Sequence, residues 1–307
     1  MKKENPQISI IIPTYNRPHF LKEAISSVLS QNYQDFEIIV VDDGSTDNTK
    51  EAIKSINNKR IIYLYQKHKG RSVARNRAIE IARGKYLAFL DDDDLFLPGK
   101  LKKQIEILEK NKDYGMVYTS ALNIDEKGNV QDFVYRATKS GNIYKNVAFL
   151  IPLVVILPTV MVRKDIVTSL NGFDEKMRRF EDTDMWRRIA KRYNICAIKE
   201  PLTKICAHRG NQMEHPLKFF RAIDYYVKKI FREDKDKGFL FLRNGAATLY
   251  LYYAVALLTQ KPNYRKYFGK FILRSLKYWP FTISIYYHLF LKLLSYLKKQ
   301  LIEKQTS

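Results

Sequence analysis

The sequence predicts an α/β fold with a mostly parallel sheet covered by helices on both faces, followed by an α-helical C-terminal region. Short apolar runs rich in Val and Ile alternate with amphipathic helical segments along the first hundred residues. Clusters of polar turn residues separate these segments. From about residue 215 onward the periodicity is helical only. We therefore expect one domain over residues 1–214 and a separate helical region over residues 215–307.

The predicted strands are continuous apolar runs, as expected where a parallel sheet is buried on both faces. They cover Ile8–Ile12, Glu37–Val41, Ile61–Tyr65, Tyr86–Leu90, Gly115–Ser120, Val154–Val162 and Asn194–Lys199. The predicted helices between them carry an apolar face. They cover His19–Ser30, Asn48–Ile56, Gly70–Ala82, Lys100–Lys110 and Phe180–Tyr193. The segment Asp125–Gly128 has the composition of a hairpin turn. Three amphipathic helical stretches follow, Lys218–Arg232, Tyr264–Trp279 and Ile283–Leu301.

Four consecutive carboxylates, Asp91 to Asp94, follow the predicted strand Tyr86–Leu90. Adjacent acids repel one another, and a divalent cation such as Mg²⁺ or Mn²⁺ would relieve that repulsion because carboxylate oxygens suit hard cations. An acid-rich turn that caps the next helix is the structural alternative. A second acidic pair, Asp42 and Asp43, also ends an apolar run. Ligands bind at the carboxyl ends of strands in open α/β sheets, so we expect a site there.

The chain has 307 residues and a formal net charge of +22, which is compatible with a nucleic-acid, anionic-lipid or phosphorylated partner. Over residues 201–307, basic residues outnumber acidic ones by roughly three to one and are interleaved with aromatic and aliphatic residues. This pattern favours an anionic membrane surface. No nucleic-acid-binding module is recognisable, so we expect no nucleic-acid partner. An accessory helical domain or an oligomer interface is the alternative for the basic region.

The sequence favours a cytoplasmic location, with peripheral attachment to the inner face of the cell membrane. The two cysteines, Cys196 and Cys206, have no metal-ligand spacing and suit a reducing compartment. Met1–Gln7 is polar and leads directly into a strand, so we expect no signal peptide. The longest apolar run, Gly245–Leu258, is shorter than the roughly 20 residues that a membrane-spanning helix needs.

Five motifs occur in a fixed order along the chain. They are Ile12–Arg17 (IPTYNR), Val41–Asp47 (VDDGSTD), Ala74–Asn76 (ARN), Phe89–Asp94 (FLDDDD) with a proline four residues later, and Glu181–Arg188 with the pattern EDxDxWxR. In this order they resemble the family-2 inverting glycosyltransferases with the GT-A fold. The resemblance covers about residues 7–210. Any one of these motifs is weak, but together they are specific.

The resemblance implies a nucleotide-sugar site. It implies that Asp43 hydrogen-bonds the nucleobase, that the Pro13, Thr14 and Tyr15 turn packs against base and ribose, and that Arg75 lies near the nucleotide. Asp91 and Asp93 match the two acids of the D-x-D motif. Asp93 is then the metal ligand, and Asp91 points toward the ribose or the ion. The middle position, often a small residue in the family, is Asp92 here. Which carboxylate touches the metal is therefore open, and Asp92 joins the expected donor-binding residues.

The resemblance also implies a catalytic base, because an inverting transfer needs a group that takes the proton from the attacking hydroxyl. Asp182 matches the family's catalytic aspartate. Glu181 and His208 are candidate contacts to the acceptor or the pyrophosphate, and Glu181 could instead hold Asp182. The helix-terminal role that acids commonly have is the alternative for Asp182. No Gln-x-x-Arg-Trp motif follows Asp182, so the resemblance does not extend to processive synthases.

The resemblance therefore implies an inverting transferase that moves a single sugar from a nucleotide-sugar donor to a glycan or a polyprenyl-pyrophosphate-linked acceptor, in surface polysaccharide assembly. Direct transfer to a polyprenyl phosphate is an alternative enzymatic activity. A non-catalytic nucleotide-binding or membrane scaffold protein is the alternative from another class. A dinucleotide-binding enzyme is disfavoured because no G-x-G-x-x-G follows the first strand.

Overall fold

A computed structural model of the chain describes residues 5–125, 128–150, 153–207, 215–260 and 262–280. The chain separates into two compact units. The first unit comprises Met1–Ala148 and Pro152–Gln212, and the second comprises Phe149–Ile151 and Met213–Ser307. The unit boundaries therefore lie near residues 148–152 and 212–213.

The strands of the first unit belong to one mixed sheet. They are β1 (Ile8–Thr14), β2 (Phe36–Asp42), β3 (Ile61–Tyr65), β4 (Tyr86–Phe89), β5 (Leu95–Phe96), β6 (Tyr114–Asp125), β7 (Val130–Tyr135), β8 (Val160–Arg163) and β9 (Asn194–Ala207). Their order across the described sheet is β3-β2-β1-β4-β8-β6-β9-β5, and β7 pairs with β6.

The first four strands are parallel, and their carboxyl ends form one edge of the sheet. All residues of β1 and β2 are buried, which explains their unbroken apolar character. β1 lies between β2 and β4, so successive crossovers leave on opposite sides of it. A crevice opens at such a topological switch point. Thr14, Asp42 and Leu90 lie at or just beyond the strand ends that border this crevice.

The remaining strands pair in a mixed way and differ in part from the sequence prediction. β8 begins only at Val160, because the three residues before it, Leu157–Thr159, form a 3-10 turn around Pro158. β9 runs eight residues beyond the predicted end at Lys199 and pairs with β6 in parallel through several register shifts. The predicted hairpin is confirmed by the antiparallel pairing of β6 with β7, although residues 126–127 lie outside the described ranges. The two-residue strand β5 was not predicted.

The helices of the first unit cover the two faces of the sheet. They are α1 (Pro18–Leu29), α2 (Thr49–Lys54), α3 (Arg71–Ile81), α4 (Lys100–Lys110), α5 (Tyr144–Phe149), α6 (Lys164–Ser169) and α7 (Glu181–Ala190). Proline is well tolerated in the first turn, where α1 begins, because an amide there has no helical partner. The predicted helices are found within a few residues of their expected bounds. The short helices α5 and α6 were not predicted.

The second unit contains α8 (Pro216–Glu233), α9 (Phe239–Gln260) and α10 (Phe268–Tyr278). An ionic and aromatic cluster joins them. Asp224 accepts hydrogen bonds from the Tyr250 hydroxyl and, at 3.0 Å, from Arg274 Nη2. No helix among the described residues combines the length and apolarity needed to cross a membrane. The predicted stretch Ile283–Leu301 lies outside the described residues.

Candidate active site

A cavity of about 390 Å³ opens at the carboxyl ends of the parallel strands. Its walls come from the loops after β1, β2, β3 and β4, together with one residue before β8 and one in β9. The described lining residues are Pro13, Thr14, Tyr15, Arg17, Asp43, His68, Gly70, Arg71, Asp91, Asp92, Asp93, Asp94, Ile156 and Ile205. The switch point of the sheet therefore carries the acidic run and the turn after β1 on one surface.

Two of the four consecutive aspartates hold the acidic loop in place. Asp92 is buried and accepts hydrogen bonds from Thr14 Oγ1 at 2.7 Å and Arg17 Nη1 at 3.3 Å. Asp94 is also buried and accepts from the Cys206 amide at 2.9 Å. Burial raises the pKa of Asp92 to about 6, although Thr14 and Arg17 oppose the shift. Burial and the neighbouring carboxylates also raise the pKa of Asp94.

The other two aspartates of the run, Asp91 and Asp93, also line the cavity, and the Asp93 side chain is 10% exposed. The Asp91 side chain is 34% exposed, and its Oδ1 accepts from Arg75 Nη2 at 2.7 Å. Asp93 Oδ2 accepts from Arg17 Nη1 at 2.7 Å. Across the described ranges, no three His, Cys, Asp or Glu residues are grouped closely enough to enclose a metal ion. One or two carboxylates facing a cavity nevertheless fit Mg²⁺ or Mn²⁺, which commonly take the remaining ligands from water and substrate phosphates.

Asp43 fixes the loop between β3 and α3. Its Oδ1 accepts from Gln66 Nε2 at 2.7 Å and from the Lys69 amide at 2.8 Å. Its Oδ2 accepts from the Gly70 amide at 2.8 Å and lies 3.0 Å from His68 Nδ1. A carboxylate has about four lone-pair positions, so these four contacts occupy its hydrogen-bonding capacity. The adjacent Asp42, in contrast, bonds the Ser45 amide and the Tyr63 hydroxyl.

Two aromatic rings and a glycine shape the wall near Asp43. The rings of Tyr15 and His68 lie 4.4 Å apart at an interplanar angle of 37°. Gly44 has a φ of +92°, and a Cβ atom added there would lie 2.8 Å from the His68 backbone nitrogen. A side chain at position 44 would therefore strain the backbone and collide with the loop that carries His68.

Arg75 connects the acidic run to the start of α7. Besides the bond to Asp91, its Nη1 lies 3.2 Å from Glu181 Oε1, and both Arg75 and Glu181 are buried. Arg71 Nε approaches the same oxygen to 2.6 Å. The centre of the Phe173 ring lies 5.7 Å from the Arg75 guanidinium carbon, within the range of a cation–π contact. The two sets of acids, 90 residues apart in sequence, are thereby joined through α3.

Asp182 follows Glu181 in the first turn of α7. It is half-buried, and its Oδ1 accepts from the Thr183 amide at 2.6 Å. Burial, followed by the neighbouring Glu181 charge, raises its pKa to about 6, while Thr183, Arg71 and Arg75 oppose the rise. Phe180 immediately before the helix has a φ of +62°, a left-handed backbone that is strained for a bulky residue. Glu181 and Asp182 are the first two residues of the helix that follows this turn.

The structure brings most of the sequence-predicted site residues together. Pro13, Thr14, Tyr15, Asp43 and Asp91 to Asp93 line the cavity. Among the described residues, the cavity walls do not include Arg75, Glu181 or Asp182. Ion pairs with Asp91 and Arg71 link Arg75 and Glu181 to the cavity, and Asp182 follows Glu181 in the chain. The candidate residue His208 lies outside the described ranges.

Sequence reasoning missed several residues of the site. Arg17 and Arg71 both line the cavity; Arg17 contacts Asp93 of the cavity wall, and Arg71 contacts Glu181 of α7. Arg17 could have been found, because it ends the first motif. Ile156 and Ile205 come from segments that carry no recognisable motif, so only the folded chain reveals them.

This mixed sheet with its helices, followed by a helical region, is a GT-A-like fold. The sequence model described as "Glycosyl transferase family 2" matches residues 9–168. This chain belongs to glycosyl transferase family 2.

Relatives of known sequence carry names of the same kind. The chain is 39% identical over 215 residues to an uncharacterised glycosyltransferase of Rickettsia conorii; the match covers 69% of this chain but only 35% of that protein. The chain thus spans about a third of that relative's length. It is also 36% identical over 193 residues to the Escherichia coli protein WfgD, a UDP-Glc:α-D-GlcNAc-diphosphoundecaprenol β-1,3-glucosyltransferase, covering 62% of this chain and 72% of WfgD.

Solved structures share the fold at low sequence identity. TarS residues 1–349 of S. aureus, in complex with UDP-GlcNAc, superposes with a TM-score of 0.65 at 18% identity, covering 88% of this chain and 79% of that one. The mannosyltransferase PcManGT of Pyrobaculum calidifontis, in complex with GDP-Man and Mn²⁺, gives a TM-score of 0.56 at 18% identity, covering 91% and 89%. At this level of identity the likeness establishes the fold.

Proposed function

We propose that the chain is an inverting, metal-dependent glycosyltransferase that moves a single sugar from a nucleotide-sugar to a glycan or a polyprenyl-pyrophosphate-linked acceptor in surface polysaccharide assembly. The observation that carries this proposal is the bridge through Arg75, which joins Asp91 of the cavity to Glu181 at the start of α7, next to Asp182. The names of the relatives support it: WfgD acts on a diphosphoundecaprenol-linked sugar. TarS and PcManGT were solved with a nucleotide-sugar.

The donor would lie across the carboxyl ends of β1, β2 and β4. Pro13, Thr14 and Tyr15 would form the wall against base and ribose, and the Tyr15 and His68 rings offer a face for stacking. Because the Asp43 carboxylate already has four contacts, we assign it the role of fixing the His68 loop. If Asp43 also hydrogen-bonded the base, one of its carboxylate oxygens would have to accept that bond in addition to its contacts with the loop.

Asp93, with Asp91 beside it, would hold Mg²⁺ or Mn²⁺. When bound, such an ion stabilises the negative charge that develops on a leaving diphosphate. Asp92 would contribute by keeping the loop in position, since both of its oxygens are engaged with Thr14 and Arg17. Arg71, on the same cavity wall, provides a further positive charge near the leaving group.

Asp182 would act as the general base. A pKa near 6 leaves the carboxylate ionised at neutral pH, yet more basic than an ordinary aspartate. Glu181 would orient this part of the site by holding Arg71 and Arg75. Its second oxygen, Oε2, is buried without a hydrogen-bond partner in the described structure, so an acceptor hydroxyl or a water could satisfy it.

The second unit would bring the enzyme to an anionic membrane surface on the cytoplasmic side. Leu273 and Leu276 of α10 are exposed, as are Phe239 and Leu240 at the start of α9. Residues 215–280 contain 14 Lys and Arg against 4 Asp and Glu. Exposed apolar side chains among basic ones suit anionic lipid. Flotation with phosphatidylglycerol vesicles, with phosphatidylcholine vesicles as control, tests this; absence of the intact chain from the anionic fraction would contradict it.

The proposed activity is tested in two stages. A thermal-shift panel of nucleoside diphosphates, each with and without Mn²⁺, identifies the donor class, because a ligand of the folded state raises the melting temperature. The matching nucleotide-sugar is then incubated with a diphosphoundecaprenol-linked sugar. NMR of the product should show an anomeric configuration opposite to that of the donor. Retention would contradict the inverting assignment, and binding without transfer would favour the scaffold alternative.

A further inference from the structure

Arg17 occupies the acidic end of the cavity before any ligand enters. A single nitrogen, Nη1, lies 2.7 Å from Asp93 Oδ2 and 3.3 Å from Asp92 Oδ1. The Arg17 side chain is 34% exposed and lines the cavity. Its backbone carbonyl accepts the first hydrogen bond of α1, from Leu21 N at 3.0 Å. The backbone is therefore anchored, while the long side chain has room to move into the cavity.

This guanidinium contacts an oxygen that the proposed donor site needs. A divalent cation on Asp93 and a guanidinium on the same carboxylate repel each other at short distance. Arginine also matches phosphate oxygens as well as it matches carboxylates, because its planar fork donates to either. A metal-bound diphosphate thus both weakens the hold of Asp93 on Arg17 and offers Arg17 a new anionic partner.

We propose that Arg17 is a positioning residue that serves as a resident counter-ion of Asp92 and Asp93 and is exchanged from Asp93 to the donor diphosphate when a divalent cation binds. The inference rests on the proposed donor site at Asp91 and Asp93. Arg17 opposes binding of the metal alone and favours binding of the metal together with the diphosphate. The two ligands therefore bind cooperatively, so that the acidic run takes up a cation mainly with its nucleotide.

Removing Arg17 should strengthen Mn²⁺ binding in the absence of nucleotide and should weaken the coupling between Mn²⁺ and nucleotide. These opposite changes separate this role from a structural one. A partly exposed ion pair that only supports the loop would contribute little to stability and would not favour either ligand. In Arg17→Met, we expect the affinity for Mn²⁺ alone to rise by about tenfold, since a competing cation is removed. We expect the factor by which UDP or GDP tightens Mn²⁺ binding to fall by about tenfold or more.

The experiment measures Mn²⁺ binding to the full chain by electron paramagnetic resonance of the free ion, without nucleotide and with saturating UDP or GDP. Arg17→Lys keeps a positive charge but loses the planar fork, so its Mn²⁺ affinity should stay near that of the wild type. Arg232→Met is the matched control, because it makes the same change in charge at an exposed ion pair with Glu233 in the other unit. Circular dichroism confirms that each variant is folded.

The outcomes distinguish the inference from the function on which it rests. Tighter Mn²⁺ binding together with lost cooperativity in Arg17→Met supports the exchange. Unchanged or weaker Mn²⁺ binding in folded Arg17→Met, with cooperativity retained, overturns the role of Arg17 but leaves the donor site intact. If the wild type binds none of the nucleoside diphosphates of the thermal-shift panel in the presence of Mn²⁺, the donor site itself is wrong, and the inference falls with it.

Discussion

The Arg75 guanidinium donates to Asp91 at 2.7 Å and lies 3.2 Å from Glu181, so one buried cation serves carboxylates from two separate parts of the chain. Both Arg75 and Glu181 are at least 97% buried. Without Arg75, the buried Glu181 carboxylate would keep only its pair with Arg71, whose side chain is 53% exposed. The stability of the site therefore depends on the buried contacts of Arg75, which the sequence of α3 alone does not reveal.

We expect Arg75→Met to lower the free energy of unfolding by up to roughly 3 to 5 kcal/mol, the cost of breaking a buried ion pair from one side, because Arg71 still pairs with Glu181. Urea denaturation followed by circular dichroism measures the change. Lys85→Met is the control, since it removes the exposed pair with Glu109 and should cost about 0 to 1 kcal/mol. Equal losses in the two variants would show that the Arg75 bridge adds nothing beyond an ordinary surface pair.

Asp93→Asn should abolish the part of nucleotide binding that depends on the metal, because an amide oxygen carries no net charge for the cation. Isothermal titration with UDP or GDP in Mn²⁺ is expected to show at least a tenfold loss of affinity. Titration in EDTA should show little change. Asp113→Asn makes the same chemical change on the exposed turn between α4 and β6 and provides a control. Unchanged affinity in Mn²⁺ would remove Asp93 from the metal site.

Asp182→Asn should lower turnover by about 10²-fold or more while donor affinity stays nearly unchanged, as expected when a general base is lost. Steady-state kinetics with a donor titration tests both parts. Turnover near that of the wild type would exclude Asp182 as the base.

The pH dependence of the reaction should follow the ionisation of Asp182. Only the ionised carboxylate accepts a proton, so kcat/KM should rise with pH through about 6 and then level off. The Arg71 charge lowers the pKa of Asp182, so Arg71→Met should move this rise to higher pH. Arg77→Met is the matched control on the same helix, where Arg77 donates to the Tyr65 carbonyl. A rise at the same pH in Arg71→Met would contradict the assignment.

Lys100 in the first turn of α4 is fully buried, and burial lowers its pKa well below the ordinary value of 10.5. The unfolded chain therefore binds one more proton than the folded chain between the two pKa values. Stability should increase with pH across that interval, by about 1.4 kcal/mol per pH unit for one proton. Urea denaturation at pH 7, 8 and 9 should show that this contribution is absent in Lys100→Met.

Lys103→Met serves as the control, because the Lys103 side chain forms an exposed ion pair with Glu200. This variant should retain the wild-type increase in stability with pH. If Lys100→Met and the wild type gain stability equally between pH 7 and 9, Lys100 is charged in the folded protein. Its contacts are with the Gln104 side chain and the Phe96 ring, 4.4 Å from Nζ, so no carboxylate among them would hold the charge.

The parallel half of the sheet could be predicted because strands buried on both faces have continuous apolar sequences. The acids that follow β2 and β4 could be placed together because parallel strands end at one edge of the sheet. The later strands were harder to predict. β5 has two residues, and β9 passes through Pro201 by shifting its register against β6, so neither has a regular local pattern.

The division of roles within the acidic run could not be predicted, because four identical side chains give no local signal. It depends on contacts that are distant in sequence: Asp92 with Thr14, 78 residues away, and Asp94 with Cys206, 112 residues away. Arg75 presented the same difficulty. Its sequence permits a surface position on α3, and only the approach of Glu181 and Phe173 from later in the chain shows that it is buried.

Gly44 determines how the site responds to random mutation. Its left-handed backbone and the 2.8 Å approach to the His68 nitrogen exclude a side chain, and the loop opposite cannot retreat because the Asp43 carboxylate holds it. In a saturation library selected for activity, codon 44 should be as intolerant as the aspartate codons, although glycine has no functional group to contribute.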